Sequence, residues 1–296
     1  MTICIAARSS EGVIFCASDR TITTTDMEME SPVTKIYPIT SSIVALPSDE
    51  DAALHEEILI DLQFAIHDRL ARDPTNWLFV REVVDEYIAR FHQAKKKRAE
   101  QTILLPLGLT HDAFLQLQGT MEPTLVGRIS EDLVRYALPK MSALIVGIDT
   151  NGAHIYEIHE GDSGCFNTIG YAAIGAGARH AKAHFMLSGQ ASTTSSAETV
   201  WATYLAKKRS EVAPGVGKTT DMFMLGPRLG YSTWLNEPTM SQLHKVYEQT
   251  INHEQEARKL ASKEMSEYVE RISKGTSAAD QEKLPAEPAP KDTSKS

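Results

Sequence analysis

The chain has 296 residues, 42% of them apolar and 23% charged, with a formal net charge of −9. This balance fits one large globular domain or two small ones, and it excludes the broad basic field that nucleic acid requires. No apolar run reaches the ~18 residues of a membrane span, and no basic segment precedes an apolar one at the N-terminus. Neither a transmembrane helix nor a secretory signal is therefore expected, and the expected location is cytoplasmic. Cys4, Cys16 and Cys165 are too few for a disulfide framework and read as small buried thiols.

Ile3 to Arg8 and Val13 to Ser18 read as two strands joined by the turn Ser9-Ser10-Glu11-Gly12. Val33 to Pro38 and Ser42 to Leu46 are two further strand candidates. The period then changes. Leu54, Ile58, Leu62, Ile66 and Leu70 recur at helical spacing between Asp49 and Arg72, with Ser48 or Asp49 as N-cap and Asp73-Pro74 as the stop. A second helix is expected from Asn76 to Glu100, and its Lys95-Lys96-Lys97-Arg98 run reads as a solvated helix end. Residues 101–137 show no clear period beyond a short helix at Ser130 to Tyr136.

Strands return at Ser142 to Asp149, at His154 to Ile158 and within Cys165 to Ile174. Helices follow from Gly175-Ala176-Gly177 to about Leu187 and from Ser195 to Ser210. Thr219 to Leu225 and Tyr231 to Leu235 close the series as strands. Strands and helices come in blocks rather than in βαβ alternation, which predicts packed antiparallel layers. Met240 to Lys274 predicts a long helix stopped by Gly275. Residues 276–296, rich in Ala, Pro, Ser, Lys and Glu, predict a disordered tail.

The chemistry begins at Thr2. When Met1 is removed, Thr2 carries a free α-amino group, whose ordinary pKa near ~7.7–8.0 suits a general base. A threonine hydroxyl is a weak nucleophile that needs such a base, so one residue would supply both parts. A Met-Thr start alone says little. The spacing behind it says more: Asp19-Arg20 follows the second strand, and Lys35 lies sixteen residues after Asp19 in Val33-Thr34-Lys35-Ile36.

This segment resembles the opening of proteasome β-subunits and their bacterial relatives, which are N-terminal-nucleophile (Ntn) hydrolases. Ala143 to Asp149, Ala153 to Ile158 and Ile174-Gly175-Ala176-Gly177 resemble the second half of that family, so that the likeness covers roughly residues 2–235. It implies an α+β, four-layer αββα sandwich, with residues 236–275 as an appended C-terminal helix. It also implies that Thr2 Oγ attacks a carbonyl carbon, that Lys35 places positive charge beside it, and that Asp19 fixes Lys35. Arg20 is expected to brace the loop. The resemblance implies a threonine-type peptidase acting on peptide or unfolded-protein substrates, as a homo-oligomer, with ring assembly and an ATP-dependent unfoldase partner among the family's features.

Three positions depart from the family pattern. Pro47-Ser48-Asp49-Glu50-Asp51 holds no glycine where an oxyanion-hole glycine is expected, so that a backbone N–H of Ser48 or Asp49 is the candidate donor. Ala176 replaces the serine between the two glycines. The distal acid and hydroxyl fall near Glu211 and Pro214, and of these only Glu211 can substitute. The departures keep two alternatives open: an amidase or transpeptidase on a specific small amide, and a catalytically inactive assembly protein on this fold.

No cofactor or metal is expected. Gly215-Val216-Gly217-Lys218-Thr219 imitates the end of a P-loop, but Val212 stands where its first glycine should be. His180 and His184, four apart, lack an adjacent acidic or third ligand and read as a solvated pair.

Overall fold

The computed structural model describes residues 2–23, 28–74 and 77–279. It divides into two compact units, Met1–Glu237 and Pro238–Ser296. The first is a mixed α/β unit of the α+β class, with antiparallel sheets.

One five-stranded sheet is built from β1 (Ile3–Arg8), β2 (Ile14–Ser18), β10 (Tyr171–Gly175), β11 (Asp221–Leu225) and β12 (Ser232–Trp234), in the order β10-β1-β2-β11-β12. The other has the order β5-β6-β7-β8-β9: β5 (Tyr37–Pro38), β6 (Ile43–Asp49), β7 (Met141–Asp149), β8 (Gly152–His159) and β9 (Asp162–Cys165). A small ribbon pairs β3 (Thr21–Thr23) with β4 (Glu28–Glu30).

Alternation along the strands explains why they read as continuous apolar runs. Cys4, Ala6, Ile14 and Cys16 of the first sheet share one buried cluster with Val44, Leu46, Leu144 and Val146 of the second. The two sheets thus pack face to face. The residues between them in sequence point the other way. Ile43, Ala45, Ala143 and Ile145 pack against Leu54, Ile58 and Leu62 of α1 (Ala52–Arg72) and Val80, Val84 and Tyr87 of α2 (Val80–Ala99). On the far side of the first sheet, α5 (Ala178–Ser188) and α6 (Ser196–Ser210) lie on β10, β1 and β2. Strands buried on both faces cannot alternate apolar with polar, which leaves length and flanking turns as the only signal.

Several boundaries shift. β6 runs three residues beyond the expected end at Leu46, because Pro47, Ser48 and Asp49 still pair with Ala143, Ser142 and Met141. The N-cap of α1 is therefore Asp51, whose Oδ1 accepts from Leu54 N at 3.0 Å, and not Ser48 or Asp49. The start of the second helix expected at Asn76 lies outside the described residues, and α2 begins at Val80, where the N–H is taken by Asp149 Oδ2 at 2.9 Å. Only Tyr37–Pro38 of the strand expected at 33–38 forms; Lys35 stands in irregular backbone.

Residues 100–137 hold a π-helical turn (Glu100–Leu104), a 3₁₀ turn (Leu105–Leu107), α3 (His111–Leu117) and α4 (Pro123–Arg135), folded around Leu104, Phe114 and Ile129. Short helices around a three-residue core leave too few apolar repeats for a period to show. Cys4 and Cys16 are buried and free, whereas Cys165 is exposed, contrary to the reading of all three as buried. Cys4 faces Ser18 across the hairpin and Cys16 faces Ala6, so the two thiols are not directly opposed.

In the second unit, α7 (Glu237–Ala279) continues through Gly275, where a stop was expected. An isolated glycine costs a helix only about 1 kcal/mol. The expected disordered tail is thus helical at 276–279, and its remainder, 280–296, lies outside the described residues. No described helix is long and apolar enough to cross a membrane.

Leu62 of α1 is fully buried in the cluster that α1 and α2 form with the second sheet. Leu62→Ala should cost about 2–5 kcal/mol, read as a lowered urea midpoint at unchanged slope.

Candidate active site

Thr2 and Asp19 come together because the β1–β2 hairpin ends there. Register places Cys4 opposite Ser18, and Asp19 N donates to Ile3 O at 3.3 Å. Both side chains are almost wholly shielded, Thr2 at 4% exposure and Asp19 at 0%. Thr2 Oγ donates to Asp19 Oδ1 at 2.5 Å. Lys35 Nζ donates to the same Oδ1 at 2.9 Å, and also to Thr2 Oγ and to the Thr21 carbonyl. The three sequence-selected residues therefore form one closed hydrogen-bonded group.

A fully buried carboxylate is costly unless its acceptor positions are filled. Besides Thr2 and Lys35, Asp19 accepts from Ile3 N at 3.1 Å, Thr21 N at 3.3 Å and Gly217 N at 2.8 Å. Burial pushes its carboxyl up, but the Lys35 charge and the hydrogen bonds from Thr2, Gly217 and Lys35 outweigh it and hold it below the ordinary aspartate value.

The glycines nearby are matters of space. A Cβ on Gly217 would stand 1.9 Å from Thr21 Oγ1. Gly175, at φ +94°, lies against Thr2; a Cβ there would stand 2.2 Å from the Thr2 carbonyl oxygen and 3.0 Å from Ser48 Oγ. The P-loop-like segment thus supplies a backbone donor to Asp19, which sequence reasoning missed. Its signal was the pair of small residues.

Thr2, Lys35, Ser48 and Asp49 line one cavity of about 580 Å³. Ser48 and Asp49 lie on the end of β6 rather than at a helix start. Glu50 N donates to Lys140 O on the β7 side, so alternation turns the Asp49 N–H to the opposite edge, which carries Tyr37. Asp49 thereby offers the backbone donor and Ser48 a hydroxyl. The Asp49 carboxylate is taken: its Oδ2 lies 3.0 Å from His55 Nδ1, and His55 Nε2 lies 2.7 Å from the Tyr87 hydroxyl. Burial, with Asp49 adding to it, pushes the Tyr87 phenol up. His55 also lines the cavity. It was overlooked, although a histidine in the buried stripe of α1 was a visible signal.

Glu211 is a correction. It does not meet Thr2; it accepts from Lys207 Nζ and Lys208 Nζ, each at 2.6 Å. Lys207 is fully buried and donates also to the Gly217 and Lys218 carbonyls, at 2.8 and 3.0 Å. Burial lowers its pKa and Glu211 partly restores it. Glu211 thus anchors the loop that delivers Gly217 N–H to Asp19. Arg20 braces the same region through a bidentate pair with Asp221, at 2.8 and 2.7 Å. Ala176 and Pro214 are exposed. Among the described residues, no group of three or more His, Cys, Asp or Glu could hold a metal.

No family model matches the chain, and no curated protein matches it.

Two outcomes follow. Because the folded-state pKa of Asp19 is lowered, its stabilisation is present above the ordinary value of ~3.9 and is lost as pH falls through the folded value. The stability gap between wild type and Asp19→Asn, from urea midpoints at pH 5, 4 and 3, should narrow steadily as pH falls. Glu211→Gln leaves the buried Lys207 ammonium without its counter-charge and should cost about 3 kcal/mol, measured by the same unfolding titration at neutral pH.

Proposed function

We propose that this chain is a threonine-type amide hydrolase of the proteasome-like Ntn class, with Thr2 as nucleophile after Met1 is removed. The observation that carries the reading is the convergence of Lys35 Nζ and Asp19 Oδ1 on Thr2 Oγ. Two face-to-face antiparallel sheets between two helix pairs support the finer assignment to the αββα sandwich of that class.

In this reading Thr2 Oγ attacks the amide carbonyl carbon, and its proton passes to the freed α-amine, directly or through a water. Lys35 lowers the cost of alkoxide character at Oγ, and Asp19 keeps the ammonium in place. The tetrahedral oxyanion takes a hydrogen bond from the Asp49 N–H. The C–N bond breaks as the α-ammonium returns a proton to the leaving amine. Water, deprotonated by the same amine, then cleaves the Thr2 ester and regenerates the hydroxyl. Homo-oligomers, ring assembly and an unfoldase partner belong to this proposal by resemblance alone.

The test is intact-mass analysis with a β-lactone or epoxyketone probe. The expected result is a chain lacking Met1, labelled once at Thr2, with Thr2→Ala unlabelled. Lys35→Ala should react at least ~10²-fold more slowly while folding normally, in line with losing one preorganised charge at a transition state. Retained Met1 with no labelling sinks the proposal. Labelling at the normal rate in Lys35→Ala sinks the role of Lys35.

A further inference from the structure

The lining of the cavity is acidic. Asp49, Glu50, Asp51 and Glu56 all line it, and among the described residues Lys35 is the only lysine or arginine that does. The charge of Lys35 is engaged by Asp19. Asp49 is turned to His55 and Asp51 caps α1 through Leu54 N, so that these two have polar partners. Glu50 and Glu56 are exposed and carry no ion pair among the described residues. The charge of Glu56 is felt inside the cavity: the Tyr37 phenol, which also lines it, is pushed up by burial and then by Glu56 and Asp49.

A cleft lined by one sign of charge concentrates the opposite sign. The volume of about 580 Å³ accommodates a long side chain. Apolar Leu59 and half-shielded Tyr37 lie beside the carboxylates, a combination that suits an aliphatic stem ending in a cationic head. We infer that this cavity selects amides whose acyl portion bears a guanidinium or ammonium group, of the arginine or lysine type, with Glu50 and Glu56 as the residues that set the preference. The inference rests on the hydrolase reading for the bond cleaved, and on the cavity alone for the charge recognised.

The charge also bears on catalysis. Carboxylates beside the Asp49 N–H oppose a developing oxyanion, and a cationic substrate brings the counter-charge with it. Neutral and acidic acyl groups lack that compensation.

The experiment uses the full chain and two fluorescent acetylated tripeptide amides, one ending in arginine and the other in citrulline, its uncharged isostere. Affinities are read by anisotropy. The arginine peptide should bind at least ~10-fold more tightly at low salt, with the advantage shrinking at high salt as exposed charges are screened. Glu50→Gln/Glu56→Gln should bring the ratio below about threefold, with citrulline binding unchanged. Equal affinities in wild type, or an unchanged ratio in the double variant, overturn the inference. β-Lactone labelling of Thr2, run alongside, separates the two readings. Charge preference without labelling leaves a cation-selective cavity and removes the hydrolase. Labelling without charge preference leaves the hydrolase and removes the cation selectivity.

Discussion

The site depends on one buried carboxylate. Asp19 has no exposure to water, and five donors replace its hydration: Thr2 Oγ, Lys35 Nζ and the N–H groups of Ile3, Thr21 and Gly217. Leaving such a group unpaired would cost several kcal/mol. The requirement for donors therefore draws together chain segments far apart in sequence. The start of β1, the loop carrying Lys35 and the loop carrying Gly217 all meet at this oxygen pair. Thr2 is held in place as a by-product of satisfying Asp19.

Support for the donors extends a further step outward. Glu211 neutralises Lys207, Lys207 holds the Gly217 and Lys218 carbonyls, and Gly217 N–H turns inward to Asp19. This is a continuous polar series from the protein surface to the Thr2 hydroxyl, alternating in sign. Lys207 is buried, and Glu211 on one side with the Gly217 and Lys218 carbonyls on the other accept its hydrogen bonds. Arg20 and Asp221 clamp β2 to β11 at the same end of the sheet. A residue such as Glu211 can thus look like part of the chemistry in sequence and prove to be a support for the loop that serves it.

Most strands and the four principal helices of the first unit could be read from the chain, because apolar spacing and turn residues agree there. Lys35 lies beside Thr2 and Asp19, but its polar anchors hold it in irregular backbone, where strand pairing was expected. Ser48 and Asp49 were tied to a helix start because capping residues look alike, and Asp51 wins the cap only because β6 keeps pairing with β7. Tyr87 and Gly217 act through contacts with residues 32 and 198 positions away, which sequence spacing does not record, whereas His55 stands six residues from Asp49 and is marked by its place in the buried stripe of α1.

On the hydrolase reading, the arrangement contains an electrostatic conflict that geometry at Thr2 does not resolve. One well-placed oxyanion donor contributes about 3–4 kcal/mol to such a transition state. A carboxylate close to the oxyanion opposes it, less strongly where solvent and salt screen the charge. Asp49 is in the awkward position of offering the donor from its backbone and a negative charge from its side chain. His55 of α1 engages that charge at 3.0 Å, and Tyr87 of α2 closes the series. The conflict is thereby reduced for Asp49 and left in place for Glu50 and Glu56, which have no partner of their own among the described residues. The nucleophile can be well prepared and the rate still be set by what neutralises the acidic lining of the cavity.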